Sequence, residues 1–174
     1  TKAFNPYIIP ITITILSGLF LIQSKGTAKV GSVFGKIVIA WFVSIAFLGI
    51  VEITQTPTIL QAINPLHGLY FLTHHNLRTV LLTLGAVMLV ITGGEAMYAD
   101  MGHFGRGPIR ISWFSLVYPA LILNYLGQGA YLLSGKPILE GNLFFCMVPS
   151  VVILPMVILA TAATVIASQA LISG

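Results

Sequence analysis

The stretch ISWFSLVYPALILNYLGQGAYLL, from Ile111 to Leu133, decides the class of fold. It runs for 23 residues without a charged side chain. A bilayer core of about 30 Å is crossed by about 20 apolar residues in a helix. The stretch lacks the alternating polarity of a barrel strand, and a helix satisfies its own backbone polar groups in lipid. We therefore interpret it as a transmembrane helix.

The composition extends this interpretation to the whole chain. Of the 174 residues, 57% are hydrophobic and only 7% are charged, whereas a soluble domain carries about 25% charged residues. The net charge is +4, but the Lys and Arg residues are scattered between apolar runs. Such scattering is typical of membrane topology signals and not of a nucleic-acid-binding patch. We expect an integral membrane protein with no nucleic-acid partner.

Four further stretches have the length and apolar character of membrane spans. The five predicted helices cover about 7–23, 33–51, 79–102 (broken near 93–95), 111–133 and 147–173. They predict an all-α membrane protein with a single transmembrane domain over residues 1–174. The chain opens with Thr1 and closes at Gly174, directly after an apolar stretch. We therefore expect a fragment with further helices on both sides.

The distribution of Lys and Arg near the spans predicts the orientation in the membrane. The side of the first and third connections carries five of them and the opposite side carries three. The two sets are Lys25, Lys29, Lys36, Arg106 and Arg110 against Lys2, Arg78 and Lys136. By the positive-inside rule the first and third connections lie in the cytoplasm, and the second and fourth lie outside.

The third span carries an ionisable residue at a weak point of its helix. Gly93 and Gly94 each cost about 1 kcal/mol relative to alanine, and Glu95 follows directly. A charged side chain at membrane depth costs at least about 2.5 kcal/mol, so it needs a partner or a function. Broken helices bind ions in many transporters through freed carbonyls and half-helix ends. Oxygen ligands for a cation are available here on Thr92, Glu95 and Tyr98.

Asp100 is a less certain member of this group. On a straight helix Glu95 and Asp100 point about 140° apart, so only a broken helix lets them share one ion. Asp100 and His103 are i,i+3 neighbours and can pair at the cytoplasmic end. Asp100 therefore remains open between an ion-pathway residue and a helix cap.

Two other spans have polar faces. The fourth carries Asn124 and Gln128 at i,i+4, and the fifth carries Thr164 and Ser168 at the same spacing. An ion pathway or gate would use such side chains. Close packing of helices also uses small and hydrogen-bonding side chains. The sequence leaves both interpretations open.

The segment ITGGEAMYADMGHFGRGPIRISWF, Ile91 to Phe114, closely resembles the signature of the Kup (KUP/HAK/KT) potassium uptake permeases. In that family the pattern reads approximately T-G-x-E-A-[LM]-Y-A-D-M-G-H-F-G, followed by P-I-R and an aromatic pair. Other landmarks are similar as well: KGTAKVGSVFGKIVIAWF at 25–42, LNYLGQGA at 123–130 and ATVIASQALISG at 163–174. The similarity thus extends over the whole chain.

This resemblance implies part of a LeuT-like fold of the APC superfamily, with two inverted five-helix repeats in about twelve helices. The five spans present here look like helices four to eight. The resemblance places Thr92, Glu95 and Tyr98 in the ion-binding site. It also implies K⁺ uptake by proton symport in the cell (plasma or inner) membrane.

The expected partners follow from the same resemblance. They are K⁺, H⁺, the lipid bilayer and the remaining helices of the same transporter, with a homodimer left open. We expect no cofactor, no catalytic residue and no metal site beyond the transported K⁺.

Three alternatives stand beside this interpretation. The first is a transporter of another substrate on the same fold, such as an amino acid. The second is an intramembrane metalloenzyme that uses Glu95, Asp100 and His103, although the chain lacks an H-E-x-x-H pairing. The third is a structural or signalling membrane protein without transport. We expect a transporter and not an enzyme.

Overall fold

The structure, a computed structural model, describes residues 10, 13–14, 17–18, 28–91, 102, 105–138 and 142–173. All regular structure in these residues is helical. Three of their helical stretches are long and apolar enough to cross a membrane, and Leu77–Leu89 is a shorter apolar helix. The three are Val33–Gln55, Arg106–Leu133 and Ser150–Ser168. The predicted all-α fold is confirmed for the described part of the chain, and three of its helical stretches have the length and apolar composition of membrane spans.

The helices follow one another along the chain with short 3₁₀ and π segments between them. In order they are α1 (Ala28–Gln55), a 3₁₀ helix (Pro57–Ile63), α2 (Pro65–His74), α3 (Leu77–Ile91), α4 (Arg106–Ser112), a π segment (Trp113–Val117), α5 (Tyr118–Leu133), α6 (Leu143–Cys146), a 3₁₀ turn (Ser150–Val152) and α7 (Ile153–Ser173). The described residues between 10 and 18 are also helical. The chain divides into two compact units, one of residues 1–41 with 150–173 and one of residues 42–149.

The unit of residues 42–149 contains a close crossing of α1 and α5. A Cβ atom added at Gly49 would collide with the backbone carbonyl of Leu123. A Cβ atom added at Gly127 would lie 2.5 Å from the Cα atom of Gly49. Both glycines are buried. Small residues let helix backbones approach closely in membranes, so these two glycines set the distance between α1 and α5.

The buried residues of both helices recur with helical periodicity and mark the faces that meet. They are Ile45, Leu48, Gly49 and Glu52 on α1, and Ala120, Asn124, Gly127, Ala130 and Tyr131 on α5. Large apolar side chains elsewhere on these helices are exposed, as Phe47 (65%) and Tyr125 (54%) show. Such apolar surface suits contact with lipid or with further helices.

The connection between α1 and α3 contains two short helices. Pro57 and Pro65 stand at their first turns, where the missing amide hydrogen of proline costs nothing. The Asn64 side chain caps α2 by accepting a hydrogen bond of 3.0 Å from the backbone amide two residues later. The buried Ile59 reaches to 2.8 Å from the position of a Cβ atom on Gly129. The connection therefore packs back onto the end of α5.

The helical run from 106 to 133 widens at its π segment. The backbone amide of Tyr118 donates to the carbonyl of Trp113, five residues earlier. Pro119 follows and has no amide hydrogen to donate to an earlier turn. The Ser115 hydroxyl donates to the carbonyl of Ile111 at 2.7 Å. Because π turns re-pair backbone groups around such an interruption, the span stays helical through its proline.

Gly49→Ala tests the helix crossing. The added methyl group has to displace the backbone of α5, so we expect a loss of about 1–3 kcal/mol in stability. Thermal unfolding in detergent measures this loss. Gly35→Ala on the same helix is the control, because nothing among the described residues lies within 4 Å of the added atom. Equal effects of the two substitutions would contradict the crossing.

Cysteine accessibility tests the span of residues 106–133 and its orientation. Gly107 and Ser134 lie at opposite ends of this run and are both exposed, with about 40 Å of helix between them. Cysteines placed there, after Cys146 is replaced, should react with an impermeant thiol reagent from opposite sides, that at Gly107 from the cytoplasm. Ser134 serves better than Gly135, whose φ of 70° disfavours a side chain. Labelling from one side only would contradict the span, and exchanged sides would contradict the orientation.

Candidate functional site

The predicted ion-binding residues Thr92, Glu95 and Tyr98 lie outside the described residues, and so does Asp100. Their roles therefore stay predictions. No three His, Cys, Asp or Glu side chains converge as metal ligands in the part of the chain that is described. His103 also falls outside that part, so the trio of the metalloenzyme alternative stays untested.

Asn124 lies on the face of α5 that approaches α1. Asn124 is 7% exposed, and its backbone amide is among the atoms that a Cβ on Gly49 would meet. Its side-chain oxygen Oδ1 is buried and has no hydrogen-bond partner among the described residues. Gln128, one turn further, is half-buried. A buried polar atom costs about 1–3 kcal/mol when nothing pairs with it, so Asn124 presents an acceptor that a donor or a cation would stabilise.

Thr164 and Ser168 lie on α7 and belong to the other compact unit. The hydroxyl of Thr164 donates to the carbonyl of Ala160 at 2.8 Å, four residues earlier. Ser168 is half-buried. Thr164 thus satisfies its hydroxyl hydrogen within its own helix, as threonine commonly does.

A charged cluster that the sequence interpretation did not identify lies at the end of α1. Glu52 is on the last turn of α1, and its Oε2 is 2.9 Å from Nζ of Lys136 in the segment after α5. The same ammonium donates to Oε1 of Gln55 at 2.8 Å. The Glu52 side chain is 7% exposed and that of Lys136 is 38% exposed. A buried carboxylate is thus neutralised by a cation 84 residues away along the chain.

Tyr131 completes this cluster. Its ring centroid is 5.2 Å from the Lys136 ammonium, within the range of a cation–π contact. Its hydroxyl donates to the carbonyl of Pro137 at 2.9 Å. Tyr131 therefore contacts the cation and also holds the backbone next to it. We call Glu52, Gln55, Tyr131 and Lys136 the outer cluster, after the predicted external side of their connections.

The sequence did contain a signal for the outer cluster. Glu52 and Gln55 stand at i,i+3 at the end of an apolar run, a spacing that puts both on one helix face. Lys136 lies in a connection that alternation of the spans places on the same side of the membrane as Glu52. Its position near a span predicts Lys136 to be a topology signal and does not by itself predict a partner. Opposite charges in two connections on one side were the available indication of a pair.

A cleft of about 470 Å³ lies between the Pro57–Ile63 helix and the end of α5. Its lining is mainly apolar, with His67 and Gln61 among the polar residues. The lining residues are Thr58, Ile59, Gln61, Ala62, His67, Gly129, Leu132 and Leu133. No carboxylate lines the cleft, so among the described residues at this end of the unit the acidic group is Glu52.

A double-mutant cycle of Glu52→Gln and Lys136→Met tests the ion pair. Glu52 is buried and Lys136 is partly exposed, so the loss of this pair should cost more than that of an exposed pair and less than that of a fully buried one. Lys136→Met should therefore lower the free energy of unfolding by about 1–3 kcal/mol. The double variant should lose clearly less than the sum of the single losses. Thermal unfolding measures all three, with Lys36→Met, at an exposed lysine of α1, as the control. Additive losses would contradict the pair.

Comparison with known proteins covers the whole chain. Residues 1–174 match the family described as "K+ potassium transporter integral membrane domain". The chain is 59% identical over 172 residues to the "probable potassium transport system protein Kup" of Chlorobaculum tepidum, covering 99% of this chain and 28% of that protein. It is 55% identical over 174 residues to the protein of the same name from Methylococcus capsulatus, covering 100% of this chain and 28% of that protein.

A third relative, from Chlorobium luteolum and again named as a probable potassium transport system protein Kup, is 58% identical over 99% of the chain and is covered to 26%. No solved structure matches the chain. The chain thus spans little more than a quarter of the length of these relatives, which are named as transport proteins and not as enzymes. With a family match over its full length and relatives well above half identical, the chain belongs to the K⁺ potassium transporter integral membrane domain family.

Proposed function

We propose that this chain is the middle part of a K⁺ uptake transporter of the cell membrane. The observation that carries the proposal is the family match over residues 1–174, together with relatives named for potassium transport. Three described helices of spanning length support the location in a membrane. The complete transporter includes further helices, since the relatives are more than three times as long as this chain.

We further propose that the spans are helices four to eight of a LeuT-like inverted-repeat fold. The order of the sequence landmarks supports this numbering. In such a fold the broken helix contributes half-helix ends and unwound carbonyls to an ion site near the middle of the membrane. The paired glycines Gly93 and Gly94 support a break in the third span.

We assign K⁺ binding to Thr92, Glu95 and Tyr98 in that span. The charge inventory supports Glu95 as the central ligand. Residues 79–105 contain no Lys or Arg, and Lys136 is engaged by Glu52 at 2.9 Å. A carboxylate in a lipid-embedded helix is stabilised by a cation, a proton or a partner charge. K⁺ and H⁺ are the cations that the resemblance to the potassium uptake permeases implies.

Five further residues are proposed for the ion pathway or a gate, with unequal support. They are Asp100, Asn124, Gln128, Thr164 and Ser168. Among the four that the structure describes, Asn124 has the strongest support, because its buried Oδ1 has no hydrogen-bond partner in the described part of the chain. Thr164 has weaker support, because its hydroxyl already donates within α7.

Proton symport is proposed on energetic grounds. Each positive charge that moves inward gains about 2.3 kcal/mol per 100 mV of membrane potential. A proton that enters with K⁺ doubles this to about 4.6 kcal/mol. At about 1.4 kcal/mol per tenfold ratio, the pair supports roughly three decades of K⁺ accumulation, against fewer than two for K⁺ alone. Glu95 can contribute by exchanging its proton for ion coordination.

Glu95→Gln in the full-length transporter tests the assigned site. The substitution keeps the shape and removes the charge, so K⁺ uptake should fall at least tenfold, which corresponds to about 1.4 kcal/mol. Uptake is measured in cells that lack their own potassium uptake systems and are grown at low external K⁺. Membrane expression should be unchanged.

Asp100→Asn is the matched control, and it should reduce uptake less if Asp100 caps the helix end. Asn124→Ala and Ser168→Ala should likewise have smaller effects than Glu95→Gln. Near-normal uptake by the Glu95→Gln protein would contradict the assigned site. Failure of the unsubstituted protein to restore growth at low K⁺ would contradict the function itself.

A further inference from the structure

We propose that the outer cluster is a binding station for a monovalent cation, that the Lys136 ammonium is its tethered occupant, and that free K⁺ exchanges with this ammonium. The inference rests on the proposed function, since it places the station at the predicted external side of a K⁺ transporter. Nothing in the assignment of Thr92, Glu95 and Tyr98 requires it.

The ligands around the Lys136 ammonium are those that suit K⁺. They are a carboxylate oxygen of Glu52 at 2.9 Å and an amide oxygen of Gln55 at 2.8 Å, beside the ring of Tyr131. An ammonium group and a K⁺ ion carry the same charge and are close in size, so oxygens arranged for one fit the other. Aromatic rings also attract monovalent cations. A single carboxylate favours a monovalent over a divalent ion, because Ca²⁺ takes six to eight oxygens that include several carboxylates.

Burial within the cluster is asymmetric, and this asymmetry permits exchange. The Glu52 side chain is 7% exposed, whereas that of Lys136 is 38% exposed. Glu52 lies one helical turn past Gly49, where α1 is in backbone contact with α5. Lys136 stands in a non-helical segment on a flexible four-carbon stem. The ammonium can therefore swing into solution while the anionic side of the station stays in place.

The energetics of such a pair allow competition by a free ion. Ion pairs with an exposed partner have a small net free energy, because the ammonium regains its hydration when it leaves. The cost of an empty station is high, since the carboxylate of Glu52 is then buried without a countercharge. A free cation removes that cost. K⁺ at sufficient concentration thus stabilises the state in which Lys136 points outward.

The station lies at one end of the unit, and this position indicates a role in cation entry. Glu52 and Lys136 lie where α1 and α5 both end, on the side of the second and fourth connections. A cation that arrives from that side meets the Glu52 carboxylate before it reaches the interior of the unit. We infer that the station concentrates K⁺ at the entrance and that Lys136 keeps the site neutral when no K⁺ is present.

Reactivity of Lys136 in the purified, unsubstituted full-length transporter tests the exchange directly. An amine-acylating reagent modifies the outward state, and mass spectrometry quantifies modification at Lys136. Labelling is compared in KCl and in choline chloride at equal ionic strength and pH. K⁺ binds the station only when Lys136 points outward. If the K⁺ concentration is twice the dissociation constant of this binding, the ratio of outward to inward Lys136 rises about threefold. We therefore expect about threefold faster labelling in KCl.

Two internal controls accompany this measurement. The exposed Lys36 on α1 reports any effect of the salts on the reagent and should label equally in both. Glu52→Gln removes the anchor, so Lys136 should label fast in both salts. Equal labelling of Lys136 in KCl and choline chloride in the unsubstituted protein would overturn the proposal. A salt effect that persists in the Glu52→Gln variant would also overturn it.

Chemical rescue provides a second test that needs no labelling. In a Lys136→Met transporter, ethylammonium or K⁺ should raise the melting temperature more than choline at equal ionic strength, because each refills the station. The Glu52→Gln/Lys136→Met variant keeps the proposed transport site, so its rise in K⁺ should be smaller by the contribution of the station, and this difference separates the station from the transport site. Identical melting responses of the two variants would contradict a cation station.

Failure of the cation station and failure of the proposed K⁺ transport give different experimental results. Labelling measures binding at the outer cluster and needs no transport. Restored growth with K⁺-insensitive labelling overturns the station and leaves the K⁺ transporter. K⁺-dependent labelling without growth supports the station and contradicts the proposed function.

Discussion

The close approach of α1 and α5 at Gly49 and Gly127 is the contact on which the arrangement of residues 42–149 depends. Glu52 follows Gly49 by three residues and Tyr131 follows Gly127 by four, a rise of about 4.5 and 6 Å along the two helices. Both side chains lie on the buried faces that the crossing defines. The segment after α5 then places Lys136 beside them. The absence of a side chain at both glycines thus allows an ion pair between a buried carboxylate and a partly exposed ammonium.

Glu52 and Glu95 are acidic residues in or beside apolar spans, and they differ in the basic residues available to neutralise them. Glu52 stands at a helix end, where a lysine from a neighbouring connection neutralises it and still reaches solvent. Glu95 stands in a stretch of residues 79–105 that contains no Lys or Arg. Since an acid at membrane depth is costly without a cation or a proton, this difference supports the two proposed roles, an entrance role for Glu52 and a transport role for Glu95.

Asn124 and Thr164 each begin an i,i+4 pair of polar residues, but their side chains differ in hydrogen bonding. The Thr164 hydroxyl reaches back to the carbonyl of Ala160 and satisfies its hydrogen there. The side-chain oxygen of Asn124 is an acceptor, and the amide hydrogens of a helix interior are already used by the helix itself. Its Oδ1 accordingly finds no donor in the described part of the chain. Residue chemistry, more than spacing, decides which polar position on a membrane helix remains available to a ligand.

The sequence by itself determined the class of protein. Runs such as 111–133 are long, apolar and free of charge, and helices are the structures that satisfy backbone polar groups in lipid, so an all-helical membrane protein followed. The motif at Ile91–Phe114 pointed to the family that the full-length match then established. The proposed ion-binding role of Thr92, Glu95 and Tyr98 rests on that motif and on the cost of a charge in an apolar span.

Only the tertiary structure decided which helices meet and which charges pair. The sequence contained Gly49, Gly127, Glu52 and Lys136, but Lys136 is 84 residues from Glu52. Helical periodicity relates residues within one turn or two, and it carries no distance between separate helices. That distance comes from the backbone contact at two glycines, which brings the ends of α1 and α5 together, so that the buried Glu52 pairs with the partly exposed Lys136.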